Sequence, residues 1–397
     1  MPSRAEVPAD DAADFGLLSP VSTATAAEAM TGDRAVVAAM VRAEGALVRA
    51  LVETKVAPPS AMAAAAMIDA TEVDVRALAL AATEGGNPVI PLVEQLRAAV
   101  VDIEWMHFGA TSQDILDTAL MLVATDVTLQ IEADLTTLAS TLATLVQQNR
   151  AVPLVARTLT QQALPSTLGM RASGWLAGVH DAVRVVRTCT TLPVSLGGAV
   201  GTTSSYGADG PAVVESFARL LGQRAPVSSW HTRRTPMIGL ANALTVAGET
   251  CGKIVADLLV MSQTEVGEAR ETTGGSSSSM AHKTNPAQSV LVASAARQLP
   301  ALASVIASSA AAEQERPAGA WHAEWQPLRT MLRLSGAAVE RTSGLVVSVQ
   351  FDHEAMRRNL DLLVTTLGED PAWVTSQIEH VDVWIDRVLA QHREVFA

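Results

Sequence analysis

Tyrosine occurs once and phenylalanine five times in this chain of 397 residues, and aromatic residues make up 3% of it. Alternating aromatic and β-branched runs are correspondingly scarce, which excludes a fold built mainly from strands. Cysteine is rarer still: Cys189 and Cys251 stand apart, without metal-ligand spacing, and read as two free thiols. No stretch of eighteen uninterrupted apolar residues occurs, so a membrane span is not expected. The opening MPSRAEVPADDAADF is acidic and has no apolar core, so secretion is not expected either, and the expected setting is cytoplasmic. Positive charge is also short. Twenty-eight Lys and Arg face 41 Asp and Glu, for a formal net charge of −13, and no basic stripe offers itself to nucleic acid. An anionic small molecule is compatible with this balance if a few basic side chains converge against the overall field. Arg157, Lys283, Arg316 and Arg329 are the candidates.

Aliphatic residues are what the chain has in quantity. Hydrophobic residues make up 49% and charged residues 17%, with a mean hydropathy of +0.25. That suffices for a large core or two to three domains, and for helix faces buried between subunits. Over 117–149 the apolar positions Leu120, Ala124, Val127, Ile131, Leu135, Leu138, Leu142 and Leu145 recur at steps of three and four. Leu240, Leu244, Ala247, Cys251, Ile254, Leu258 and Met261 repeat the pattern, and 167–189, 287–313 and 321–350 show weaker versions, with a kink expected at Pro300. A helix of about thirty residues is about 45 Å long. Rods of that length pack as bundles. The expected architecture is all-α: a small N-terminal helical domain over 1–105, a central long-helix bundle over 106–350, and a reduced C-terminal helical segment over 351–397. The stretch SLGGAVGTTSSY at 195–206 imitates a phosphate loop, but no strand precedes it, and it reads as a turn between two long helices.

Four segments carry chemistry. In MHFGATSQDILDT, at 106–118, Thr111, Ser112 and Gln113 gather at a loop-to-helix entry with His107 beside them. Free backbone N–H groups and the helix dipole favour an anion there. In ARTLTQQALPSTLG, at 156–169, Arg157, Thr158, Gln161 and Gln162 sit on an element bounded by Pro153 and Pro165. In GGSSSSMAHKTNP, at 274–286, glycines and serines make a mobile flap. It leads to Lys283 as a cation for a carboxylate, Asn285 as an orienting amide, and Pro286 as the expected first residue of the next helix. The fourth, EQERPAGAWHAEW at 313–325, holds Arg316 and His322. His322 and Glu324 are two apart and do not share a helix face, which argues against a metal pair.

Together, GATSQD, RTLTQQA, GGAVGT and SSSMAHKTNP resemble the fumarase/aspartase superfamily. GNPVIPLV at 86–93, WHTRRTPMIGLANAL at 230–244, QTEVGEARE at 263–271 and AGAWHAEW at 318–325 are similar to its branch of 3-carboxy-cis,cis-muconate cycloisomerases. The resemblance covers about 15–360. It implies a long-helix bundle of the fumarase/aspartase type, assembled as a homotetramer whose active sites each draw on three chains, with no metal or organic cofactor. The implied reaction converts 3-carboxy-cis,cis-muconate to 4-carboxymuconolactone in protocatechuate (β-ketoadipate) degradation. By the same resemblance the base is Ser277, with Ser278 next in a four-serine run that leaves the register open by one. Lys283 and Asn285 bind a substrate carboxylate, and Thr111, Ser112, Thr158 and Gln161 fall where other members touch substrate. Arg157, Lys283 and Arg316 would hold three carboxylates. His107, His282 and His322 are the histidines available to assist.

Departures matter too. Ala281 and Thr284 replace a usual Pro and a frequent Arg, and the region after Asn359 is short for this group. Adenylosuccinate lyases, the rival reading, carry an acid histidine where this chain has Leu159. A carboxylate, with a pKa of about 4, departs without protonation, whereas an amine does not. The absent imidazole therefore points to a carboxylate as nucleophile and leaving group. A non-catalytic scaffold that has kept the fold is the second rival.

Overall fold

The computed structural model describes residues 15–100, 103–272, 275, 276, 280 and 283–396. Five helices open the chain: α1 (Ala26–Met30), α2 (Asp33–Glu53), α3 (Met62–Ala70), α4 (Val75–Gly85) and α5 (Val89–Ala99). In α2 the stripe Met40, Leu47, Val48 and Leu51 is buried, and the helix packs on both α3 and α6 (Ser112–Gln148). The 37 residues of α6 extend about 55 Å. Its expected apolar stripe is the core of the molecule, with Val127, Ile131, Leu135, Leu138 and Leu142 fully buried. Each such side chain contributes about 1.5–3 kcal/mol.

Strand signals are weak in the sequence, yet 153–167 forms an antiparallel hairpin of β1 (Pro153–Thr158) and β2 (Gln161–Thr167). Its two-residue turn, Leu159 and Thr160, is left-handed at both positions (φ +48° and +69°), the geometry that matches strand twist. Pro165 lies opposite Val155 beside an irregularity in the register, a place where a missing N–H is tolerated.

The bundle continues with α7 (Leu168–Arg187), α8 (Gly210–Leu221) and α9 (Thr235–Met261). Then come the two-residue strands β3 (Ala269–Arg270), β4 (Gly275–Ser276) and β5 (Thr284–Asn285), followed by α10 (Ala287–Ser309) and α11 (Ala320–Ser348). β6 (Gln350–Phe351) pairs with β3, and α12 (His353–Leu367), α13 (Pro371–Ile378) and α14 (Val381–Val395) close the chain. α6, α7, α9, α10 and α11 pack as the central bundle, and α14 returns to lie on α7. One expectation needs correction: Pro286 stands at the N-cap of α10, one place earlier than expected. Pro300, where a kink is expected, lies inside α10. α10 is also long and apolar enough, by length and composition, to cross a membrane, although only 28% of its apolar window is buried in this chain. A search for uninterrupted apolar runs misses it because Gln, Ser and Arg are interspersed.

One ionic knot pins the bundle at the α6 entry end. Arg234, at the cap of α9, donates to Asp117 of α6 at 2.7 and 3.2 Å and to Glu324 of α11 at 2.5 and 3.1 Å. The Trp321 indole N–H donates to Asp117 at 2.9 Å, and the guanidinium lies 4.7 Å from the Trp230 ring centre. Burial opposes charge on Arg234, but the two carboxylates outweigh it and keep the pKa above its ordinary value.

Candidate active site

Asp114, three residues beyond the α6 cap, organises the helix entry. Its fully buried carboxylate accepts from the N–H of Thr111 (3.1 Å), Gly197 (2.7 Å) and Gly198 (2.9 Å), and from the Ser195 hydroxyl (3.3 Å). It also lies 2.6 Å from His231 Nε2. The loop after α7 is thereby tied to the start of α6. Gly198 is required for this approach: its φ is +73°, and a Cβ there would meet the Gly109 carbonyl at 2.9 Å.

Arg316 spans the same two segments. It donates to Thr111 Oγ1 at 3.0 Å and to the Ala199 carbonyl at 3.2 Å, both neutral acceptors. Among the described residues it forms no ion pair, so its charge is available to an anion. Ser112 is the first helical residue and half-buried, beside free N–H groups of the first turn. Gln113 departs from expectation. It is fully buried, donating to Asp117 and to the His231 carbonyl, which makes it a tie within the interior.

His107 stands in the loop before α6 with φ +58°. Its Nδ1 lies 2.6 Å from Oε1 of Glu44, a fully buried residue of α2. Burial pulls the imidazole pKa down, but the Glu44 charge and hydrogen bond prevail, and the net shift is upward. His322 is exposed, its ring centre 5.2 Å from Trp321 and 4.6 Å from Trp325. It lines a pocket of about 250 Å³ with Leu116, Leu120 and Arg329. Arg329 is paired with Asp33 and is no longer a free cation.

The second and third segments lie at the other end of the bundle. Arg157 donates to both oxygens of buried Glu268, at 3.0 and 2.8 Å, and Asn359 donates to the same carboxylate at 2.8 Å. Its charge is paired within the chain. Thr158 and Gln161 face each other across the hairpin turn and are exposed. Leu159, at the tip, is 95% exposed.

On the flap, Asn285 of β5 pairs with Gly275 of β4, and Lys283 is exposed. Glu271 anchors the flap base by accepting from the Gln288 and Ser289 N–H groups and the Ser289 hydroxyl (3.1, 2.8 and 2.6 Å). This places a carboxylate at the positive end of α10. A cleft of about 710 Å³ opens beside Asn285, Arg270 and His353. Ser277, Ser278 and His282 lie outside the described residues.

The α6 entry and the flap are joined by α9, which covers about 40 Å from Arg234 to Met261. No small substrate reaches both ends of one chain. Glu44, Asp114 and His231 are the site-region groups that residue patterns had not singled out. Only Asp114, at capping-box spacing from Thr111, left a readable trace.

Comparison with known proteins gives a lyase family model matching residues 23–300. The chain is 43% identical to a nitrosuccinate lyase of Streptomyces davaonensis, over 88% of this chain and 77% of that one. It is 36% identical to a 3-carboxy-cis,cis-muconate cycloisomerase of Bradyrhizobium diazoefficiens, over 87% and 79% respectively. Among solved structures it is similar to the 3-carboxy-cis,cis-muconate lactonizing enzyme of Pseudomonas putida, with a TM-score of 0.85 and 30% identity, covering 96% of this chain and all of that one.

Proposed function

Because the chain belongs to the lyase family of the fumarase/aspartase superfamily, we propose that it makes or breaks a bond β to a carboxylate whose leaving group departs unprotonated. Leu159 carries this reading. The two-residue turn that holds it is closed by backbone geometry, and neither turn residue is an acid or an imidazole. A leaving group that is stable as an anion needs neither.

The first substrate in this reading is 3-carboxy-cis,cis-muconate. A carboxylate oxygen of the diene adds to the conjugated double bond, and the neighbouring carbon takes a proton from the Ser277 hydroxyl, with Ser278 as the alternative donor. The product is 4-carboxymuconolactone. Lys283 and Arg316 bind carboxylates, Asn285, Thr111 and Ser112 orient them, and Thr158 and Gln161 close the site from another subunit.

The 43% identity favours a second reading, loss of nitrite from nitrosuccinate to leave fumarate. Nitrite also departs as a stable anion, so Leu159 suits both. Purified enzyme is offered each substrate: loss of the diene absorbance supports the first, nitrite release the second, and adenylosuccinate serves as control. Turnover of adenylosuccinate alone would overturn the proposal, because its leaving amine needs an acid.

Self-association completes the reading. The bundle leaves most of the apolar window of α10 uncovered, Val290 and Val305 among its exposed residues. A homotetramer built through such faces brings the α6 entry of one chain to the hairpin and flap of others.

A further inference from the structure

The site as proposed must hold a multiply charged anion, yet several of the arginines near it are paired with carboxylates inside the chain. Arg157 is bound to Glu268, Arg234 to Asp117 and Glu324, and Arg329 to Asp33. Arg316, at the α6 entry, is bonded to neutral acceptors only. We propose that Glu44 of α2 is a positioning residue that holds His107 as an imidazolium at this entry, where the ring binds a substrate carboxylate.

Three observations carry the inference. The contact is short, 2.6 Å, and fixes the ring through Nδ1, leaving Nε2 without a partner among the described residues. Glu44 is fully buried, its Oε2 has no hydrogen-bond partner, and no other cation pairs with it among the described residues. A buried carboxylate in that state favours a charged neighbour strongly. The backbone at His107 is left-handed, a conformation a non-glycine residue keeps only when its surroundings enforce it.

The groups facing the imidazole agree in sign. Glu44 from α2 and Asp114 from α6 both favour the cation, and Arg97 from α5 opposes it. Tyr206, before α8, donates its hydroxyl to the Phe108 carbonyl, and burial beside the same two carboxylates keeps it neutral. The imidazolium adds a cation four residues before the Thr111 cap, next to the N–H groups of α6.

The inference rests on the anionic-substrate reading above, but its test needs no turnover. Binding of propane-1,2,3-tricarboxylate to the full-length protein is measured by calorimetry from pH 6 to 8.5, and the His107 ring is titrated by NMR, assigned through His107→Gln. In the wild type, binding weakens as pH rises through the raised His107 pKa. Glu44→Gln moves both the NMR titration and the weakening to lower pH, so that Kd at pH 7.5 rises about tenfold, one pKa unit of lost preference for the cation. A fixed charge in His107→Lys keeps binding near wild type at pH 8 and removes the inflection, which tests the idea even if Glu44→Gln fails to fold. Unchanged titration and Kd in Glu44→Gln, or lost binding at pH 8 in His107→Lys, would overturn it. If these titrations hold while neither muconate nor nitrosuccinate is turned over, the substrate reading fails and this one stands.

Discussion

Arg234 and Arg316 both sit at the α6 entry, and their surroundings give them opposite duties. Arg234 is almost wholly buried between two carboxylates, so Arg234→Met leaves Asp117 and Glu324 enclosed without a counter-charge. Breaking a buried pair from one side costs about 3–5 kcal/mol. The urea midpoint of the variant is expected to fall accordingly, and an unchanged midpoint would mean that the carboxylates are protonated or hydrated. Arg316 is exposed and bonded to neutral acceptors. Arg316→Ala should leave unfolding within about 0.5 kcal/mol of wild type and lower kcat/KM about a hundredfold, equivalent to about 2.7 kcal/mol of transition-state binding. Equal losses of stability and activity would make it a structural residue. Arg316 stands out in the sequence as a candidate cation, and Arg234 does not. The partners of Arg234 lie 117 and 90 residues away on other helices, beyond the reach of any local pattern. The same holds for Arg157, whose partner Glu268 is 111 residues distant.

Elements were legible in proportion to their periodicity. The stripes of α6 and α9 are long enough that almost every expected position is buried, Leu145 excepted. The β1–β2 hairpin was not legible, because its fifteen residues hold few β-branched side chains and its turn lacks glycine and asparagine. The return of α14 onto α7 was also hidden, because it depends on tertiary contacts. His180 of α7 and His392 of α14 stack at 5.4 Å, with nitrogens 3.2 Å apart. Burial lowers the pKa of both from 6.5, helped by mutual repulsion and Arg184 at His180 and by Arg393 at His392, against Gln391 and Asp181 at His180. A histidine with a depressed folded pKa stabilises the fold fully above its unfolded pKa, and that contribution is lost as pH falls through 6.5 towards the folded value. Once exchange is corrected for its intrinsic pH dependence, the protection of the amides in 381–395 should therefore fall from pH 7.5 to 5.5. His392→Leu should remove this loss of protection, and if the loss persists the pair is not its source.

Across the whole molecule, the residues proposed for one reaction lie at two ends of a rod about 40 Å apart. A proteolytic or fluorescent probe of one chain cannot decide whether separate subunits unite them, but mixing variants can. Arg316→Ala damages the α6 entry and Lys283→Ala the flap, and neither change touches a buried core position. Each homogeneous variant should retain little turnover. After equimolar mixing and subunit exchange, a site that takes Arg316 from one chain and Lys283 from another is intact with probability one half for each. About a quarter of the wild-type sites should then reappear. If both segments came from the same chain, every site would carry one lesion and no activity would return. Recovery near a quarter, accompanied by a tetrameric mass in light scattering, is the expected outcome. A lasting absence of recovery in demonstrably exchanged oligomers would mean that one chain folds its two ends onto a single substrate, which the length of α9 forbids.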